Sequence, residues 1–483
     1  MCKDPACARC GRRKAPACLD GELHEECGVF GAFNGGTMDT AGEPYLALHA
    51  MQHRGQDGAG LAATDGEKII YHKGVGLLSE VFSDGAQLAQ FAGKNIVIGH
   101  VRYATCASAH TVINTQPLVM HSHGGGIALA HNGHLINSAQ LRRELMADGH
   151  LLQTEVDTEV FLHIIARESR GYSIESGIQR MMEKVRGSYA LVMMTPGKLY
   201  GVRDPWGIRP LVLGVREGSY FLASESCAFD AIGARLVREV NPGEIIVIDR
   251  GGYHSIQTPE RGRRMCVFEY VYFARMDSVM SGVGVCGARI RSGERLSEVA
   301  PVEAELVAGV PESAIPAAMG YSRRSGIPFG QALIKNPYTG RTFITPGQAS
   351  RERSVRMKLS PVREMVEGKR IVLVDDSIVR GTNSLQIVDM LRQAGAKEVH
   401  MRIASPPVLY PCHFGINTPT SSQLISAQYD EKQVCKKIGA DSLAFLPIAS
   451  LQEAVSKDLG LCTGCFSGEY PMPVGQDDPS TSF

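Results

Sequence analysis

The sequence predicts two domains built on different plans: a layered α+β domain over residues 27–257, then an α/β domain with a parallel sheet over residues 258–466. In the first stretch short strand-like runs dominate and helices do not alternate strictly with them, the pattern of an α+β layer. In the second, continuous apolar runs are followed by amphipathic helical patterns, as in βα units buried on both faces. A charged stretch, TPERGRR at 258–264, falls between the two textures. Residues 1–26 form a polar, cysteine-bearing leader, and residues 467–483 a Pro/Ser/Asp-rich tail expected to be flexible.

Composition narrows the function classes. The 483 residues are 44% hydrophobic and 21% charged, enough to bury a large core. Lys+Arg and Asp+Glu each number 50, so the chain lacks the basic excess of a nucleic-acid carrier or polybasic membrane binder. No run approaches the ~18 apolar residues of a membrane-spanning helix, and the leader lacks the apolar core of a secretory signal. The 13 cysteines are too sparse for a disulfide framework and odd in number, which suits reduced thiols in the cytoplasm.

The elements follow in order. CGVFGAF at 27–33 opens the first domain as a strand, and NIVIGHVRY (95–103), GGIALAHN (125–132), SYALVMM (188–194), YFLASES (220–226) and EIIVID (244–249) read as further strands. Helical spacing appears around residues 43–52 and 158–185. In the second domain ELVAGVPES (305–313) and EVHMRIASPP (398–407) are strand-like, with a helical AAMGYSRRSG (317–326) between them.

The most informative unit there is RIVLVDDS at 370–377, an apolar strand ending in two carboxylates. VRGTNS at 379–384 makes a glycine-containing turn rich in donors, and residues 385–395 continue with helical spacing. A strand leading through such a turn into a helix N-terminus offers backbone N–H groups to a phosphate. Paired acids at the strand end suit ribose hydroxyls or Mg²⁺, and no Walker loop is present. The order resembles the phosphoribosyl pyrophosphate (PRPP) signature of type I phosphoribosyltransferases. The resemblance implies that Asp375 and Asp376 contact the ribose and the metal-bound substrate. It also implies that a loop from Ser377 to Ser384, with Arg380, Gly381 and Thr382, cradles the 5-phosphate.

Cys27 follows two glutamates at the start of a strand. A thiol becomes a useful nucleophile when a base takes its proton. An α-amino group, with a pKa of ~7.7–8.0, would be such a base if residues 1–26 were removed. CGVFG with LHAMQHRGQDGAG (48–60), GHVRYAT (99–105), HNGHLIN (131–137) and TEVDTEV (154–160) resembles the N-terminal-nucleophile glutamine amidotransferase domain, an αββα sandwich. The resemblance implies that Cys27 attacks the glutamine amide and that Asn132 and Gly133 supply oxyanion donors. Arg102 then clamps the α-carboxylate and Asp157 the α-amine. RDPWGIRPL (203–211) and ASES (223–226) match as scaffold.

Together the halves resemble the glutamine phosphoribosylpyrophosphate amidotransferase family from about residue 22 to 466. That implies one reaction: glutamine, PRPP and water give 5-phosphoribosylamine, glutamate and pyrophosphate, the first committed step of purine synthesis. Ser313 of the VPES segment is implied in Mg²⁺–PRPP binding. Lys335, Tyr338 and Arg341 of ALIKNPYTGRTFI (332–344) are implied in a loop closing over PRPP, with Pro337 where relatives carry Arg. Feedback inhibition by purine nucleotides and a homotetramer or homodimer are also implied. A sugar isomerase or ATP-pyrophosphatase partner, as in other amidotransferases of this type, is disfavoured by the DDS-IVRGT unit.

Cys266 (MCVFEY), Cys412 (YPCHFG), Cys462 and Cys465 (CTGC) make four soft ligands, suited to zinc or an iron–sulfur cluster. One branch of the family carries a [4Fe–4S] cluster in matching contexts, which favours the cluster. The same branch has a propeptide, so Cys2, Cys7, Cys10 and Cys18 are expected to leave with residues 1–26.

Overall fold

The structure is a computed structural model, and it describes residues 27–103, 111–122, 125–336, 358–416, 418 and 420–474. The first domain is a pair of stacked sheets. One has seven strands in the order β11-β9-β10-β1-β4-β2-β3. These are β1 (Gly28–Phe33), β2 (Gly58–Thr64), β3 (Ile69–Val75), β4 (Ile96–Arg102), β9 (Val212–Arg216), β10 (Ser219–Ala223) and β11 (Arg235–Glu239). The other runs β13-β12-β8-β7-β6-β5. Its members are β5 (Leu118–Ser122), β6 (Gly125–Leu135), β7 (Gly187–Met194), β8 (Leu199–Arg203), β12 (Glu244–Asp249) and β13 (Gly252–Gln257).

Alternation places Val29, Ile96, Ile98, Ala128, Ala130 and Val192 in the layer between the sheets, a dry aliphatic core. Helices cover both outer faces. Gly42–Ala50 packs on the first sheet, with Ala47 and Leu48 in its core, and Asp157–Glu168 and Ile174–Lys184 pack on the second. The expected αββα layering is therefore present. The helical spacing read across 158–185 is two helices, because the intervening turn carries Gly171 at φ 73°. A helix at Ser138–Ala147 went unread: its buried stripe is short, with Leu141 and Leu145 carrying the apolar contacts.

The second domain holds a four-stranded parallel sheet in the order β17-β20-β21-β22. Its strands are β17 (Leu306–Gly309), β20 (Arg370–Asp375), β21 (Glu398–Ile403) and β22 (Ser442–Phe445). Ile371, Val372, Leu373 and Val374 are wholly buried, as strands covered on both faces require. Short pairs complete it: β14 (Met265–Cys266) with β23 (Leu461–Cys462), β15 (Val279–Met280) with β16 (Val283–Gly284), and β18 (Leu333–Lys335) with β19 (Leu359–Pro361). Residues 467–474, read as the start of a flexible tail, are instead fastened to the domain. Tyr470 donates to the Pro411 carbonyl at 2.6 Å, and Arg186 to that of Pro473 at 2.7 Å.

Candidate functional site

Cys27 precedes β1, and β1 pairs β4 with Gly28 opposite Val101, so the thiol stands level with Arg102 at the sheet's end. The chain from the first helix passes unusually close here: a Cβ at Gly55 would lie 2.5–2.7 Å from the Arg102 backbone, so only glycine fits. Across the interlayer, the His100 ring meets the carbonyl of His131 at 3.1 Å, and Gln116 Oε1 accepts from the His131 N–H at 2.7 Å. These bonds fix the end of β6 that carries Asn132 and Gly133. Asn132 is buried, and its Nδ2 has no hydrogen-bond partner among the described residues. An amide donor in that state is costly unless a ligand completes it. Gly133 has φ 139°, and a Cβ there would meet the Ser188 carbonyl oxygen at 2.1 Å.

Asp157 heads the helix Asp157–Glu168. Its carboxylate accepts from Leu135 N at 2.8 Å and faces His134 Nδ1 at 3.2 Å. Burial alone would raise its pKa, but His134 and these donors outweigh it and hold the carboxyl well below its usual range. It is an anion in place for an ammonium group. Burial pushes the Cys27 thiol up, so it would act as a nucleophile only with a base at hand.

Beneath Cys27 lies an ionic knot absent from the residue-by-residue reading. Arg54 Nε donates to the Cys27 carbonyl at 3.2 Å, while its other nitrogens pair with Glu225 at 2.6 Å and with Glu269 at 2.9 and 2.8 Å. His53 meets the same Glu225 oxygen at 2.8 Å. Burial opposes charge on Arg54, yet the two carboxylates dominate and keep it firmly protonated. Arg54 and Glu225 lie inside segments already singled out, but nothing in their spacing shows that they pair.

In the second domain β20 delivers Asp375 and Asp376 to the mouth of a cleft of about 910 Å³. Asp376 accepts from Ser313 Oγ at 2.5 Å and from Ser377 Oγ at 2.6 Å, so the expected serine and acid do meet. The Val310 N–H bonds the Val374 carbonyl at 2.9 Å, which lays the 310–313 turn beside the acidic strand end. Gly381, at φ 77°, caps the helix Thr382–Gln393, and a Cβ there would press Ile425 at 2.6 Å. Arg380 reaches Gln423 at 3.0 Å. The cleft is also lined by Lys335, by Arg289, and by His49, His53 and Gln56 of the first domain. Tyr338, Arg341 and Pro337 lie outside the described residues, as do residues 1–26.

The four expected cysteines converge. Cys266 and Cys462 are register partners in the β14–β23 pair, and Cys465 lies on the following helical turn. Leu409 N and Tyr410 N bond the Cys465 carbonyl at 2.9 and 3.0 Å, which brings in the Cys412 loop. Burial, then mutual repulsion among the thiols, raises the pKa of Cys266 and Cys465 and pushes Cys462 up to about 12. Among the described residues no three His, Cys, Asp or Glu side chains close round a single metal ion. Four thiols are a donor set that zinc or an iron–sulfur cluster takes as thiolates, so the residues present fit the cluster. Mg²⁺ likewise needs no protein cage, since one or two carboxylates plus substrate phosphates hold it.

A glutamine-hydrolysing sandwich joined to a phosphate-and-ribose cleft defines a glutamine-dependent glycosyltransferase. Residues 100–231 match the model of the glutamine amidotransferase domain. The chain is 47% identical to the amidophosphoribosyltransferase of Bacillus subtilis over 462 residues, 94% of this chain and 96% of that one. It is 45% identical to that of Methanothermobacter thermautotrophicus, over 95% and 97%. Its fold matches the B. subtilis glutamine PRPP amidotransferase solved with ADP and GMP at a TM-score of 0.88 and 46% identity, covering 93% of this chain and 98% of that one. The chain belongs to the amidophosphoribosyltransferase family, whose reaction moves the amide nitrogen of glutamine to PRPP in purine synthesis.

Proposed function

We propose that Cys27 is the glutaminase nucleophile, freed by cleavage after Glu26, and that the cleft around Asp375 and Asp376 uses the ammonia. The observation that carries this reading is the buried Asn132 Nδ2, without a hydrogen-bond partner among the described residues, on the strand end braced against β4 and beside Gly133. With Cys27 first in the chain, its α-amine takes the thiol proton and the thiolate attacks the glutamine carbonyl. Asn132 and Gly133 receive the developing oxyanion, while Arg102 and Asp157 hold the α-carboxylate and α-amine. Ammonia leaves, and the acyl-enzyme is hydrolysed to glutamate.

In the cleft, Asp375 and Asp376 orient the ribose. The 377–382 loop, with Ser377, Arg380, Gly381 and Thr382, binds the 5-phosphate, and Lys335, Tyr338 and Arg341 cover the pyrophosphate. Ammonia then displaces pyrophosphate at C1. Asp375, Asp376 and Ser313 would hold Mg²⁺ together with the substrate, and the ion would supply charge neutralisation for the leaving group. Cys266, Cys412, Cys462 and Cys465 would hold a [4Fe–4S] cluster that acts as a structural tie. A cytoplasmic homodimer or homotetramer, inhibited by purine nucleotides, completes the reading. A second solved relative, an allosteric regulatory enzyme of purine biosynthesis, and the ADP and GMP bound to the first support that inhibition. Intact-mass and iron analysis of anaerobically purified protein tests the maturation and the cluster. A chain starting at Cys27 with about four irons is expected; active protein still starting at Met1, or free of iron, refutes the respective part.

A further inference from the structure

Two contacts pass from the second domain into the glutaminase centre, through residues that have no substrate to touch. Glu269, three residues after Cys266, is fully buried and grips Arg54 with both oxygens, at 2.9 and 2.8 Å. Arg54 in turn donates to the carbonyl of Cys27 at 3.2 Å. Phe414 and Gly415, two and three residues after Cys412, lie on the other side of the centre. The Phe414 carbonyl accepts from Ser188 Oγ at 2.7 Å and from Arg209. A Cβ at Gly415 would stand 3.2 and 3.3 Å from the carbonyl carbon and Cα of Gly133, and 2.9 Å from Arg209 Nη2. Gly133 is itself tightly packed, since a Cβ there would meet the Ser188 carbonyl oxygen at 2.1 Å.

We infer that Glu269 and Gly415 are positioning residues for glutamine hydrolysis, lent by the synthase domain. Glu269 fixes the nucleophile's backbone through Arg54, and Gly415 backs the oxyanion turn at Gly133. The inference rests on Cys27 as nucleophile and on Asn132 and Gly133 as oxyanion donors. Its physical basis is preorganisation. Displacing a nucleophile or an oxyanion donor by ~1 Å costs on the order of 10²-fold in rate without weakening the grip on the rest of the substrate. The substitutions leave the Arg102 side chain and the Leu135 N–H bond to Asp157 in place, so kcat rather than KM carries the loss.

The test uses full-length Gly415→Ala, Glu269→Gln and Ser188→Ala, with Cys27→Ala alongside. Each is assayed for phosphoribosylamine formation from glutamine and from ammonia, and for alkylation of Cys27 by a diazoketone analogue of glutamine. Gly415→Ala and Glu269→Gln should lose roughly tenfold or more in glutamine-dependent kcat. Their glutamine KM and ammonia-dependent rate should stay within about twofold of the parent, and Glu269→Gln should also slow alkylation. Ser188→Ala removes one hydroxyl and adds no bulk. It should show the same selectivity at smaller amplitude, which keeps the test decisive if the other variants fold poorly. Parallel loss of both nitrogen sources, or full glutamine-dependent kcat in Ser188→Ala and Gly415→Ala, overturns the inference. Full glutamine use by Cys27→Ala would remove its foundation, and is separately visible.

Discussion

Arg54 shows what a single residue reveals only when folded. It sits in QHRGQDG, but its partners lie 171 and 215 positions away, and no local period predicts such pairings. Cys27, Asn132 and Asp157 are proposed from short segments that resemble the amidotransferase domain, and each segment holds its residue without any long-range pairing. Two predictions belong to this scale. Asn132→Ala should lower glutamine-dependent kcat by about 10²–10³-fold while ammonia-dependent synthesis stays intact, measured by parallel steady-state assays. His131 is buried and neutral: burial pulls its pKa from 6.5 down to about 4. Its folded pKa is depressed, so the stability it contributes is full above 6.5 and lost as pH falls through about 4. Urea titrations between pH 7 and 4 should therefore show stability falling with acidity, and His131→Phe should flatten that slope.

At the scale of elements, the apolar runs read from the sequence fall on strands: NIVIGHVRY on β4 and RIVLVDDS on β20. The strands β2, β3, β5, β8, β9, β11 and β13 escaped that reading, several of them because glycine or charged residues interrupt the apolar run, as in GAGLAAT, IIYHKGV and RLVRE. The misses have physical causes. Ser138–Ala147 buries too narrow an apolar stripe to stand out, and the turn between the two helices over 158–185 carries little contrast in polarity. Residues 467–474 read as tail because Gly468, Pro471 and Pro473 break any helix or strand period, yet Tyr470 packs over Gly464. The phosphate turn gives the prediction at this scale. Gly381→Ala must place a side chain at φ 77° and against Ile425, which should destabilise the protein by ~1–3 kcal/mol. It should also raise the KM for PRPP, read by thermal melts and initial rates.

At the scale of the whole molecule, the two domains share rather than merely adjoin their sites. His49, His53 and Gln56 of the first reach the cleft of the second, and Glu269 and Gly415 of the second brace the first. The cysteines among the described residues fall into an order. Cys27 stands before β1, four others gather where both contacts from the second domain originate, and Cys227 is buried in the first core. Cys286 and Cys435 are half-buried. Because Asp375 and Asp376 offer two carboxylates and no closed cage, removing Mg²⁺ with a chelator should stop synthesis from glutamine and ammonia alike, and added Mg²⁺ should restore both.

The most direct test of two chemistries in one chain is the Cys27→Ala variant, with phosphoribosylamine formation measured from glutamine and from ammonia at saturating PRPP. The account predicts no detectable glutamine-dependent synthesis beside an ammonia-dependent rate within about twofold of the parent. Retained glutamine use, or equal loss of both activities, would contradict it.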